Sequence, residues 1–293
     1  MRVKVNGTEI YVDVDGAQLD VGDGMLRERP TIVALHGGPG FDHGYLRPGL
    51  APLAGDAQVV YVDLRGQGRS GRPAIETCTL EQMADDVAAL CAGLGIERPI
   101  ILGHSAGGFV TLTLATRHPH LAERLILVDT AAATAAMSDS MSILQQRNGA
   151  EARAAAERMF GGDFSEPAVN DFIRLVFPAY LANPSNMATL GPTIGRCNFN
   201  PEVAAFYFST RAPLYDLRDK LAGIRQPTLV LVGEQDWLTP PGTAQALAAG
   251  LPSSELVVLP DAGHFAFVEQ PDIFNTAVRQ FAAAPTLVGV GGI

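Results

Sequence analysis

Residues 101–110, "ILGHSAGGFV", carry β-favouring apolar side chains into a serine fenced by glycines and then turn apolar again. Gly103, Ser105 and Gly107 read G-x-S-x-G. A serine serving only a turn has no need of small residues two positions away on both sides. In a nucleophile elbow, by contrast, a strand runs into a helix with almost no loop, and the crowded backbone excludes bulk at those two positions. Pro99 to Leu102 supply the strand, and Phe109, Leu112, Leu114 and Ala115 supply an apolar face for a helix ending near His118-Pro119.

Working outward, "TIVALHG" (31–37), "AQVVYVDL" (57–64), "PIILGH" (99–104), "RLILVD" (124–129), "PTLVLVG" (227–233) and "SELVVLP" (254–260) are short, nearly continuous apolar runs. Such runs suit strands covered on both faces. Helix-length segments separate most of them, including 79–94, where Thr79 is the expected N-cap, and 240–251. The expected fold class is therefore α/β: a mainly parallel sheet with helices on both faces, preceded by an antiparallel hairpin turning at Asn6-Gly7. From about Ala131 to Lys220 the alternation stops, and helix-like segments are punctuated by Gly161-Gly162, Pro178, Asn183-Pro184 and Pro192. This interval is expected to be an inserted helical cap, residues 131–220, with residues 1–130 and 221–293 forming the core domain. The Gly-rich apolar tail "TLVGVGGI" has no helix signal and is expected to be packed or frayed.

With 47% hydrophobic and 18% charged residues, the composition is that of a globular chain long enough to bury a large core. A formal net charge of −10 with no Lys/Arg-rich run argues against nucleic-acid and anionic-membrane partners and leaves a small-molecule substrate as the expected one. Cys78, Cys91 and Cys197 are odd in number and outside any C-x-x-C pattern, so neither a disulfide set nor a zinc site is indicated. No apolar run reaches the ~20 residues of a membrane span and the N-terminus lacks a signal-peptide layout, so a cytoplasmic protein is expected.

A serine hydroxyl needs a base and an acid that orients the base. His264, in "LPDAGHFAFVEQP", follows the last strand-like run and sits where strand ends present functional loops. Among the other histidines, His36 is expected to tie down a glycine loop, while His43, His118 and His120 read as polar surface residues near helix ends. Asp236, after the run 227–233, is the stronger candidate acid, and Asp129, after 124–129, is its rival. An oxyanion requires two N–H donors: the amide of Ala106 at a helix N-terminus, and Gly38 or, second to it, Gly37 from "HGGPG" (36–40). Trp237 and Phe265, adjacent to the acid and the base, are expected to border the substrate, with Gly37 and His104 beside them, although His104 should point away from Ser105.

"HGGPG", "DLRGQGRSGRP" (63–73), "GHSAGG" (103–108), "GEQDWLTP" (233–240) and "AGHFAFVEQP" (262–271) together resemble the α/β-hydrolase superfamily in order and spacing over essentially the whole chain. The resemblance implies an eight-stranded sheet, a lid, a Ser105-His264-Asp236 triad and no cofactor. "HGGPG" is similar to the proline iminopeptidase branch, but His104-Ser105-Ala106 departs from that branch's elbow, and Trp237 stands where those peptidases often carry an acid for the substrate ammonium. The expected activity is hydrolysis of a small, largely hydrophobic ester or lactone. An aminopeptidase using Glu202 or Asp171 is the alternative, and a non-catalytic ligand-binding protein ranks third. Epoxide hydrolases and haloalkane dehalogenases need an aspartate at the position of Ser105.

Overall fold

The computed structural model describes residues 1–22, 25–134 and 139–284. Among the described residues ten strands form: β1 Arg2–Val5, β2 Thr8–Asp15, β3 Leu19–Gly22, β4 Met25–Glu28, β5 Thr31–Leu35, β6 Gln58–Asp63, β7 Ile100–His104, β8 Arg124–Val128, β9 Thr228–Gly233 and β10 Ser254–Leu259. Eight of them make one sheet in the order β1-β2-β6-β5-β7-β8-β9-β10. β1–β2 and β2–β6 are antiparallel, and every other neighbouring pair in that sheet is parallel. The β1–β2 turn falls on Asn6 (φ 41°) and Gly7 (φ 76°), the paired positive values of a tight hairpin turn. β3 and β4 form a separate two-stranded ribbon that the sequence reading did not anticipate. Leu19, Val21, Met25 and Leu26 of this ribbon are exposed, so it has no buried face to leave a pattern in the chain.

The apolar runs are continuous because both faces of the central strands are covered. Val33, Leu35, Ile101, Leu125 and Leu127 pack into one core, joined by Met83, Val87 and Leu90 of the helix Leu80–Leu94 and Leu112 of the helix Ala106–Arg117. Their neighbours Ile32, Ala34, Ile100, Leu102 and Ile126 face the other way, onto Leu46, Leu50 and the helix Pro271–Ala283. Thr79 caps its helix by accepting a hydrogen bond from the Gln82 amide at 3.2 Å, and Gly95 (φ 66°) ends it.

Between β8 and β9 the described elements are helical apart from a single bridge pairing Ala133 with Asp216, and the longest is Ser140–Phe160, interrupted by Gly149 at φ 89°. The tail 286–293 lies outside the described residues. Because β5 to β10 run parallel within the large sheet, their carboxyl ends share one edge, and the loops holding Gly38, Ser105, Asp129, Asp236 and His264 all leave from it.

Candidate active site

Ser105 joins β7 to the helix Ala106–Arg117 with φ 53° and ψ −122°, a conformation costing on the order of 1–3 kcal/mol. Surrounding hydrogen bonds hold it there. The Ser105 amide donates to Val128 O (2.9 Å), and its carbonyl accepts from the Gly108 amide (2.9 Å) and the Thr130 hydroxyl (2.7 Å). The flanking glycines are required by contact: a Cβ at Gly103 would lie 2.3 Å from Thr111 Oγ1, and one at Gly107 would lie 2.2 Å from Leu35 O. Both approaches are far inside van der Waals contact, so G-x-S-x-G here is a packing constraint.

His264 Nε2 stands 3.0 Å from Ser105 Oγ, and its Nδ1 stands 2.8 Å from Asp236 Oδ2. Asp236 also accepts from the amides of Leu238 (2.8 Å) and Thr239 (3.1 Å) and from the Thr239 hydroxyl (2.5 Å), which orients the carboxylate toward the ring. Burial disfavours the charged forms of both partners. The attraction and hydrogen bond between them outweigh it, so His264 is raised above the ordinary histidine value and Asp236 is held below the usual carboxylate range.

Asp129, the rival acid, does not bond to His264. Its Oδ1 accepts from the Gly233 amide at 2.9 Å and its Oδ2 faces the Ala266 amide at 3.4 Å. Burial, reinforced by the negative charge of Asp236, pushes Asp129 up to about 8. The two amide contacts of Asp129 brace the loop after β9 against the His264 loop.

Several residues occupy places different from those expected. Gly37 cannot serve an oxyanion with its amide, because that N–H donates to Tyr45 Oη at 2.6 Å. Gly38, at φ 51°, is the remaining candidate in that loop. His104, expected beside the substrate, is 2% exposed, and both ring nitrogens are hydrogen-bonded, to Tyr45 and to the His264 carbonyl. Trp237 is fully buried, with its ring set edge-on to Tyr180 at a centroid separation of 5.3 Å. Phe265 is likewise buried, against His104, Tyr45, Phe177 and Tyr180. Both aromatics belong to the buried apolar cluster on the second face of the sheet. His36 does tie down the glycine loop: its Nδ1 donates to Gly37 O (2.9 Å) and its Nε2 accepts from the Leu64 amide (3.2 Å). His43, expected at the surface, is buried and bonded to Asp63 at 2.6 Å.

The helical segment reaches the site through Tyr180. Its carbonyl accepts from the His264 amide (2.7 Å) and its ring centroid lies 5.3 Å from that of His264. Glu269 fastens the same junction, with Oε2 accepting from the amides of Gly263 (2.6 Å) and Ala182 (3.0 Å) and Oε1 from that of Asn183 (2.9 Å). Sequence reasoning missed Tyr45, Thr239 and Glu269. Glu269 stands inside the quoted "AGHFAFVEQP", but nothing local announces that its partners come from residues 182 and 183.

A family model described as the alpha/beta hydrolase fold matches residues 30–271. The chain belongs to the α/β-hydrolase family. This α/β-hydrolase is 29% identical over 266 residues to the Rhizobium rhizogenes protein named "Putative carbamate hydrolase RutD", covering 89% of this chain and 96% of that one. Among solved structures it is similar to the proline iminopeptidase-related protein of Thermus thermophilus, with a TM-score of 0.77, 28% identity, and coverage of 98% of this chain and 97% of that one. It is also similar to a thermophilic esterase of Thermogutta terrifontis, with a TM-score of 0.68, 28% identity, and coverage of 96% and 97%. Like them, the chain is an enzyme of the hydrolase class. Three differently named proteins at nearly equal identity leave the substrate to be argued from the site. Among the described residues of this hydrolase, no group of three or more His, Cys, Asp and Glu could hold a metal ion, and no helix is long and apolar enough to cross a membrane.

Proposed function

We propose that this α/β-hydrolase cleaves a small, largely hydrophobic carboxylic ester or lactone through an acyl-enzyme on Ser105. The observation that carries the reading is the unbroken hydrogen-bond line Ser105 Oγ–His264–Asp236, at 3.0 and 2.8 Å. Ser105 attacks the carbonyl while His264 takes its proton; Asp236 holds the imidazole in the required tautomer and stabilises the imidazolium. The amides of Ala106 and Gly38 bind the oxyanion, the former aided by the helix N-terminus. His264 then protonates the leaving alkoxide, and water, activated by the same ring, releases the acid. Residues 131–220 act as the cap over this centre.

The substrate class follows from the surroundings. Tyr180 and Phe177 approach from the His264 side, while Phe41, whose ring a Cβ at Gly38 would strike at 2.7 Å, packs on Phe199 at 4.9 Å on the other. Such walls favour an uncharged acyl or alcohol group.

The alternative reading, an aminopeptidase, draws support from the "HGGPG" loop and from the likeness to the proline iminopeptidase-related protein of Thermus thermophilus. It needs a carboxylate to receive a substrate ammonium. Glu202 is exposed, and Asp171 is engaged by Arg158 (3.4 Å) and Arg174 (2.9 Å). Comparing p-nitrophenyl acetate and butyrate, simple lactones, a carbamate ester and prolyl-p-nitroanilide tests the choice. We expect the short esters to lead. A prolyl substrate ahead by about tenfold in kcat/KM, roughly 1.4 kcal/mol of transition-state preference, would transfer the assignment to the peptidase.

A further inference from the structure

Behind the proposed triad runs a second line of buried hydrogen bonds that the mechanism above does not use. The Gly37 amide donates to Tyr45 Oη at 2.6 Å, Tyr45 Oη lies 2.8 Å from His104 Nδ1, and His104 Nε2 lies 2.8 Å from the His264 carbonyl. The carbonyl end can only accept, so His104 donates from Nε2. With the ring neutral, Nδ1 accepts a hydrogen bond from the Tyr45 hydroxyl, whose oxygen in turn accepts from the Gly37 amide. In this arrangement His104 carries its one ring proton on Nε2. Burial agrees with this, pushing the ring down to about 3.

The line joins three loops that are remote in sequence. Gly37 is wedged against the elbow, since a Cβ on it would lie 2.6 Å from Ser105 Cβ, and the next residue, Gly38, is the proposed oxyanion donor. The His104 ring centroid lies 5.0 Å from that of His264. Tyr45, His104 and His264 are each about 2% exposed, so a broken link leaves a buried polar group without water to replace its partner.

We infer that Tyr45 and His104 are positioning residues that lock the oxyanion loop to the backbone of His264, so that oxyanion donor and base are set as one unit. This inference rests on the serine-hydrolase reading. The two hydroxyl- and ring-mediated links act through Gly37 and His264 and touch no reacting atom.

The test uses the full chain and p-nitrophenyl butyrate, with competent sites counted by a fluorophosphonate. Tyr45→Phe removes the middle hydroxyl; His104→Gln keeps a donor toward His264 but loses the acceptor for Tyr45. Each is expected to lower kcat per titrated site by about tenfold or more with KM within about threefold, because misplacement of preorganised groups acts on the transition state. Affinity for a boronic acid that mimics the tetrahedral state should fall in step with kcat/KM. The double variant should lose little beyond the worse single one, since both cut the same line. A single variant retaining kcat within twofold, or effects that multiply, would overturn the inference. Should the variants fail to fold, nitrogen NMR of the wild-type ring decides: His104 is expected neutral and protonated at Nε2 from pH 5 to 9, and a ring titrating near ~6.5 or protonated at Nδ1 overturns it. Ser105→Ala retaining turnover would instead reject the serine-hydrolase reading itself.

Discussion

Two aspartates leave the same sheet edge, Asp129 after β8 and Asp236 after β9, and both are almost completely buried. Each accepts hydrogen bonds from backbone amides, yet one is pushed up to about 8 while the other is held below the usual carboxylate range. Burial acts in the same direction on both, so it cannot be the difference. What separates them is the partner. Asp236 faces a ring that can carry positive charge and receives a hydroxyl hydrogen bond besides, whereas Asp129 faces two neutral amides, one of them at 3.4 Å, and feels the charge of Asp236. A buried carboxylate is ionised only where something compensates its charge, and the site uses one acid of each kind.

The largest expected effect breaks that contrast directly. Asp236→Asn should lower kcat by about 10⁴-fold, as expected when the orienting acid of a triad is replaced and the imidazole tautomer is wrong. Asp129→Asn, at a carboxyl that meets backbone amides and does not bond to His264, should cost less than about tenfold at pH 7. Steady-state kinetics on one ester, with competent sites titrated, decides between them; if the Asp129 variant is the more damaged, the acids have been assigned the wrong way round.

The contrast sharpens with pH. Only neutral His264 can accept the serine proton, and its affinity for a proton is raised, so kcat/KM should climb with pH through a midpoint above the ordinary ~6.5. Whatever activity Asp236→Asn retains should show a lower midpoint, because the raising charge is gone. A midpoint that does not move on that substitution would mean that Asp236 does not bias the ring.

Stability should respond to Asp129 with the opposite sign to a paired carboxylate. Its folded value near 8 lies above the ~3.8 of the unfolded chain, so the wild type should lose stability relative to Asp129→Asn as pH rises from about 4 to 8, with the gap levelling above that. Melting temperatures of both proteins across this window measure it. A constant gap would place the charge on Asp129 in the native state.

The smallest effect concerns the exposed acid. Glu202→Gln should leave kcat/KM on butyrate within about twofold and should be no more selective against prolyl-p-nitroanilide than the parent. A selective loss on the prolyl substrate would revive the amine-binding reading.

Much of this was legible beforehand because it is local. The strands β5 to β10 appear as apolar runs since each is covered on both faces, and the elbow appears as G-x-S-x-G since no Cβ fits beside Thr111 or Leu35 O. The exposed β3–β4 ribbon left no such trace, and Trp237, read as a substrate neighbour from its place after Asp236, turned inward. Position along the chain brings a residue near the site without saying which way its side chain points.

By itself, then, the sequence determined the order of strands and helices, the strained serine and the loops that reach the common edge, because these depend on periodicity, glycine and contacts within a few residues. Only the tertiary structure decided which aspartate meets His264, that the Gly37 amide is committed to Tyr45, and that His104 holds the His264 carbonyl. The last of these pairs is 160 residues apart in sequence. Each such choice is a competition among donors and acceptors that the sequence makes available equally, and it is resolved only when packing removes water and leaves one partner within reach.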